Sequence, residues 1–253
     1  MVNVAIVIPL YKIHPSPQEI LAINNNLAIL KDYPKYIIAP SGFISEEYGN
    51  ILKLSKIIYL APHWFKSLNS YNRLMLSKKF YKLFNNYEYI LILQPDALVF
   101  RDELIEWCTK GYSYIGAPWP KGIFVHSYSF HGHNLIRKLF PFFNKPKNCY
   151  VGNGGLSLRN VKESILILQK HFLTVKLWSA NEDHFWAYYF MSNDGKCLMP
   201  SEIEASKFSL ELEAEQYYMK NGCKLPFGCH AYEKDNVFWN KVLLIKDEIF
   251  SKS

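Results

Sequence analysis

The chain has 253 residues, 49% of them hydrophobic, and 29 Lys and Arg against 22 Asp and Glu leave a formal charge of +7. That apolar content over that length can bury a sizeable core, which excludes an intrinsically disordered chain as the starting expectation. No window of eighteen or more apolar residues occurs, which argues against a membrane-spanning helix, and the basic balance favours an anionic partner.

Strands are expected at 4–10 (VAIVIPL), 36–40 (YIIAP), 56–62 (KIIYLAP) and 89–93 (YILIL). Continuous β-rich runs of this kind suit strands buried on both faces of a mostly parallel sheet. Helical spacing falls between them. Ser16 to Leu30 carries Ile20, Leu21, Ile23, Leu27 and Leu30, and Ser70 to Phe84 carries Tyr71, Leu74, Met75, Tyr81 and Phe84. Ser16 followed by Pro17 is a suitable helix start. The alternation predicts an α/β fold, and with no repeat or linker the expectation is a single domain over 1–253.

The fourth strand breaks into Gln94-Pro95-Asp96 and resumes at Ala97. Pro95 has no N–H and a fixed φ, so the chain must leave regular pairing there. In open α/β sheets ligands bind beyond the carboxyl ends of the strands, which makes Asp96 a candidate ligand contact. The alternative is a turn acid satisfied by Arg101 or a backbone amide.

Farther on, RDELIEWC (101–108) reads as a short helix opened by acids and YSYIGAPW (112–119) as a strand ending in a loop. Residues 120–148 have no sustained period and are expected to form a long loop. Within it HGHNLIRKLFPFFNKPK (131–147) mixes aromatic residues with cations. The His131/His133 pair lacks acidic or thiol partners at ligand spacing, so contact with an anionic membrane surface or an anionic acceptor is preferred to a metal there. VGNGGLSLRN (151–160) leads into a helix expected from Asn160 to Phe172. Asn160 and Glu163 have the spacing of a reciprocal cap, and Val161, Ile165, Leu168 and Phe172 form one face.

NEDHFWAYYF places Glu182 and Asp183 in the first turn of a helix capped by Asn181, where the helix dipole favours acids. A carboxylate kept ionised there can accept a proton from a hydroxyl. GCHAYEK places His230 in a turn near the C-terminus. Five scattered cysteines, Cys108, Cys149, Cys197, Cys223 and Cys229, form no C-x-x-C pair. They argue against disulfide or structural zinc frameworks and for reduced thiols. The opening MVNVAIVIPLYK shows no cationic leader, so a soluble, cytoplasmic protein is expected, peripheral at the inner face of the membrane if 131–147 docks there. The lysines are dispersed and no glycine-aromatic signature occurs, so nucleic acid is not an expected partner.

The segment YEYILILQPDALVFRDELIEWC resembles the one that carries the Asp-x-Asp motif of GT-A type glycosyltransferases. The ordered blocks YNRLMLSKKFY, YILILQPDALVFRDELIEWC, YIGAPW, VGNGGLSLRNV, NEDHFW and PFGCHAYEK together resemble a bacterial family of glycosyltransferase-like domains, over roughly residues 55 to 235. The resemblance implies a GT-A-like (Rossmann-like) sheet whose first hundred residues bind a nucleotide and whose 101–240 half takes the acceptor. It implies a divalent cation, Mn²⁺ or Mg²⁺, held by Asp96 and His230 against a nucleotide-sugar diphosphate. Gln94 stands where the wider superfamily has its first Asp, and a neutral amide is a weaker ligand for hard cations. The resemblance also implies Asp183 as general base with Glu182 as substitute, and Asn153, Gly154 and Gly155 as the floor under donor sugar and acceptor. Pro9, Leu10 and Tyr11 lie where the base docks, with Asn72 and Arg73 nearby; Arg73 could pair with phosphate or ribose or lie on a solvated face. The expected function is transfer of a sugar to a hydroxyl of a glycan or lipid-linked glycan in cell-surface polysaccharide or lipopolysaccharide synthesis. The alternatives are a metal-assisted nucleotidyltransferase or phosphohydrolase, and an inactive glycan-binding module.

Overall fold

The computed structural model describes residues 2–127, 146–192, 197–235 and 237–242. Its centre is a six-stranded sheet ordered β3-β2-β1-β4-β9-β6, built from β1 (Val4–Pro9), β2 (Lys35–Pro40), β3 (Lys56–Leu60), β4 (Tyr89–Leu93), β6 (Tyr114–Ile115) and β9 (Leu156–Asn160). The first four strands in chain order are parallel, as their unbroken apolar runs require. β9 runs antiparallel to β4, and β6 antiparallel to β9. Period-two alternation splits the core: Val4, Ile6 and Ile8 of β1 pack into one apolar cluster, Ala5 and Val7 into the other. This is a single mixed α/β domain with helices on both faces of the sheet. Among the described residues no helix is long and apolar enough to cross a membrane.

The antiparallel β9 decides where chemistry can happen. Its register pairs Leu93, the last residue of β4, with Leu156, its own first residue. The loop before β9 therefore lies beside the carboxyl end of β4, and the Gln94 amide donates to the Gly155 carbonyl at 2.9 Å. A second sheet, β10 (Ser209–Leu210), β11 (Gly228–His230) and β5 (Ala97–Val99), pairs His230 with Ala97. The resumption of the chain after Asp96 is thus a separate strand that delivers the C-terminal histidine.

Helix α1 (Pro17–Ile29) forms as expected, with Ser16 and Glu19 capping each other reciprocally. α2 is Gly49–Lys53. The single helix expected over 70–84 is instead two, α3 (Leu68–Met75) and α4 (Lys78–Lys82), because α3 ends at Leu76 and Ser77 is extended. α5 spans Leu104–Thr109. The expected long loop at 120–148 is corrected at both ends by a ribbon, β7 (Pro118–Val125) paired antiparallel with β8 (Lys147–Val151). Residues 128–145, with the His131/His133 pair and most of the basic aromatic stretch, lie outside the described residues.

The helix expected over 160–172 also divides, into α6 (Val161–Lys170) and α7 (Phe172–Leu177), with the break at His171. Asn160 accepts from the Glu163 amide, but the reciprocal bond is not made, since the Asn160 N–H already donates to the Ser113 carbonyl. α8 (Glu182–Met191), α9 (Glu202–Phe208) and α10 (Ala214–Lys220) follow.

Candidate active site

Pro9, the buried last residue of β1, leads through Leu10 to Tyr11, which is half exposed. The Tyr11 ring lies 6.4 Å from those of Phe65 and Tyr71. These rings, with Lys66, Ser67, Leu68 and Gln94, line a cavity of about 230 Å³. Gln94 is shared between that cavity and a polar cluster: its Nε2 donates to the Tyr71 hydroxyl at 3.5 Å, and its Oε1 lies 3.1 Å from His230 Nε2.

His230 holds the cluster together. Its Nε2 is 3.2 Å from Asp96 Oδ1, and its Nδ1 is 3.0 Å from Glu211 Oε2. Glu211 is paired in turn with Lys234 at 3.1 Å. Burial disfavours the imidazolium, but hydrogen bonds to Asp96 and Glu211 and the charges of both outweigh it, so the His230 pKa is pushed up to about 9. Burial likewise works against charge on Asp96 and Glu211, and the hydrogen bond and charge of His230 overcome it, holding both carboxyls below their ordinary values. Backbone supports the geometry, because the Ala231 N–H donates to the Asp96 carbonyl at 3.0 Å.

The loop from Gly152 to Gly155 joins this cluster to a second one. Asn153 adopts a left-handed conformation with φ of 60°, tolerated by Asn more readily than by most residues. A Cβ on Gly155 would lie 2.1 Å from His230 Nε2, and one on Gly154 would lie 2.1 Å from Glu182 Oε1. Two adjacent positions therefore need glycine because a held side chain packs against each backbone.

The second cluster is set by a buried cation. Arg159 of β9 is fully buried, with Nη1 donating to Glu182 Oε2 at 3.0 Å and Nη2 to Glu182 Oε1 at 2.9 Å. Both Glu182 oxygens are thus committed to a bidentate pair. The expected substitute base, Glu182, is thus held in a buried ion pair with Arg159. Asp183 is different: its side chain is 18% exposed, and burial followed by the Glu182 charge pushes its pKa up to about 7. A carboxylate titrating near neutrality is suited to take a proton from a hydroxyl.

The structure brings Gln94, Asp96, Asn153, Gly154, Gly155, Glu182, Asp183 and His230 to one edge of the sheet, with Tyr11 bordering the adjoining cavity. Asn72 meets the start of α8 beside Glu182, whereas Arg73 is placed elsewhere. The Asn72 amide donates to Asn181 Oδ1 at 3.2 Å, which also explains why Asn181 makes no side-chain cap. Arg73 Nη1 donates to the Val175 and Lys176 carbonyls at 2.9 and 2.8 Å, so its guanidinium is occupied by the end of α7 and it does not line the cavity. Sequence reasoning missed Glu211 and Arg159. Arg159 had a signal, a cation inside the apolar strand LSLRN, which demands a buried acid. Glu211 had none, since it comes to His230 through the parallel pairing of β10 with β11.

Among the described residues no group of three or more His, Cys, Asp and Glu could hold a metal by itself. The donor chemistry of the Asp96 cluster nonetheless fits a hard divalent cation completed by a ligand. Gln94 Oε1 and Asp96 Oδ1 stand 3.1 and 3.2 Å from His230 Nε2. Neighbouring ligands of an octahedral ion with bonds of about 2.1 Å stand about 3.0 Å apart. Glu211 on the far ring nitrogen is the usual partner of a metal-binding histidine.

No curated protein matches the chain in sequence. Among solved structures, the fold is similar to mouse xyloside xylosyltransferase 1 in its apo form, with TM-score 0.52 and 12% identity over 90% of this chain and 97% of that one. It is similar to the WbbM bifunctional glycosyltransferase, with TM-score 0.54 and 12% identity over 90% of this chain but only 45% of that protein. It is similar too to the galactosyltransferase LgtC in complex with donor and acceptor sugar analogues, with TM-score 0.50 and 14% identity over 89% and 86%. At these identities the likeness shows the fold, that of GT-A-like glycosyltransferases. Residues 55–230, well over half of the chain, match the family described as a protein of unknown function, DUF5672, and the protein belongs to that family.

Proposed function

We propose that the protein is a glycosyltransferase, moving a hexose-like sugar from a nucleotide-sugar donor to a hydroxyl of a glycan or lipid-linked glycan. The observation that carries this reading is the meeting of two unlike clusters, Gln94–Asp96–His230 and Arg159–Glu182, through the adjacent glycines 155 and 154, with Asp183 next in the chain to Glu182. A site that must neutralise a departing diphosphate and also deprotonate an incoming hydroxyl needs such a pair.

On this reading residues 1–100 hold the nucleotide, with the base stacked in the cavity of Tyr11, Phe65 and Tyr71 beyond Pro9. Gln94, Asp96 and His230 would hold Mn²⁺ or Mg²⁺, which when bound would offset charge on the leaving diphosphate. Glu211 fixes the tautomer and direction of His230 by keeping its Nδ1 engaged. The backbone of Asn153, Gly154 and Gly155 forms the floor under the sugar, and Asp183 takes the acceptor proton on a carboxylate oxygen. Residues 101–240 supply the acceptor side. The acceptor would be a growing cell-surface polysaccharide or lipopolysaccharide, glycosylated on the cytoplasmic side.

The test is a thermal-shift panel of UDP, GDP, CDP, CMP and dTDP, each with and without Mn²⁺, since a ligand bound only by the native state raises stability. One nucleoside diphosphate should shift the protein only when Mn²⁺ is present, because three protein donors leave the coordination shell to be completed by phosphate oxygens. Absence of any nucleotide shift would overturn the reading. With the matching sugar nucleotide, nucleoside diphosphate and glycosylated acceptor should form, and free sugar phosphate or pyrophosphate should not.

A further inference from the structure

Helix α7 has its polarity reversed. On a surface helix the apolar stripe faces the core, yet here Phe172, Leu173 and Leu177 are 62%, 62% and 57% exposed and no residue of the helix is fully buried. At 100° per residue these three and Lys176 share one arc, while Thr174 and Val175 turn inward and are half-buried. The helix is held in this orientation. Arg73 binds the Val175 and Lys176 carbonyls, and the next residue, Trp178, is 2% exposed in the core. Beside it is an apolar groove of about 390 Å³ between Leu76, Leu168, Phe172 and Val175, which Lys78 and Lys176 also line.

The charge around this face is almost all positive. α4 packs against α6, and α4, α6 and α7 together carry Lys78, Lys79, Lys82, Lys162, Lys170 and Lys176 against the single acid Glu163. Among the described residues Lys78, Lys79, Lys82, Lys162 and Lys176 take part in no ion pair. A second copy of the chain would bring the same lysines to a two-fold contact and repel. Nucleic acid would satisfy the lysines and leave the apolar arc in water.

We propose that the face formed by α7 with the lysines of α4 and α6 docks the protein on an anionic lipid bilayer. Phe172, Leu173 and Leu177 enter the boundary between headgroups and acyl chains, and the lysines meet lipid phosphates. Lys176, in the middle of the apolar arc, reaches back to the headgroups along its aliphatic stem. This inference does not depend on the transferase reading.

The experiment is flotation of the full chain with liposomes of phosphatidylcholine alone or of phosphatidylcholine mixed with phosphatidylglycerol. The protein should float with the mixed vesicles and not the neutral ones, and rising salt should release it. The triple variant Phe172→Ser, Leu173→Ser, Leu177→Ser should lower the bound fraction by about tenfold or more. Lys78→Glu with Lys176→Glu, two exposed positions whose change leaves the packing intact, should do the same. Melting temperature, unchanged in the charge variant, separates a docking defect from a folding defect. No flotation with anionic vesicles, or variants that float like the wild type, would overturn the proposal. So would variants that convert a dimer to a monomer in light scattering without altering flotation, which would assign the face to a second copy.

Discussion

Glu182 and Asp183 are neighbours in the chain, and their surroundings differ. Glu182 spends both oxygens on Arg159; Asp183 is left beside that negative charge, partly exposed, with a pKa near 7. Asp183→Asn should lower kcat by about 10²–10⁴-fold while the nucleotide shift is retained, because base catalysis is lost and donor binding is not. In the wild type, kcat/KM should rise with pH and level off above about 7, as the active form is the deprotonated one. Full activity in the variant, or a loss confined to donor binding, would remove Asp183 from the base role.

At the level of elements, β9 and α8 are tied by that one ion pair, and the tie also shifts the Asp183 pKa. Breaking a buried pair from one side leaves an uncompensated charge, so Glu182→Ala should cost about 3–5 kcal/mol in urea unfolding. It should also lower the Asp183 pKa, since the Glu182 charge is among the causes that raise it. A mild loss of stability with an unchanged pH profile would contradict the coupling. The boundaries of elements show where local signals end. Helical spacing from Ser70 to Phe84 was legible, but the break at Leu76–Ser77 was not, since apolar positions on two short helices can mimic one long period. Phe172 fitted the α6 stripe by spacing, yet the turn at His171 points it to solvent.

For the molecule as a whole, the perturbed groups predict stability against pH. Asp183 is raised from 3.8 to about 7, and His230 from 6.5 to about 9. Both retain a proton in the folded state that the unfolded chain has released. Their contributions are complete below the unfolded values and are lost as pH rises through the folded ones. Asp96 and Glu211 are lowered, so their contributions are present above ordinary carboxylate values and are lost in acid. Unfolding free energy should therefore peak on the acid side of neutrality and fall by a few kcal/mol, order of magnitude, between about pH 5 and about pH 9.5. His230→Gln should flatten the part of this fall above about pH 6.5; a rise in stability over that window would refute the assignment. The parallel strands, the first helix with its Ser16 cap, and the break at Gln94-Pro95-Asp96 follow from the sequence by itself, because apolar period, capping chemistry and proline act over a few residues. The tertiary structure alone decided how the acids are paired. That Glu182 pairs with Arg159, that Arg73 binds the end of α7, and that Glu211 stands behind His230 all depend on strands and helices distant in sequence. Burial and charge act through space, and no local pattern records them.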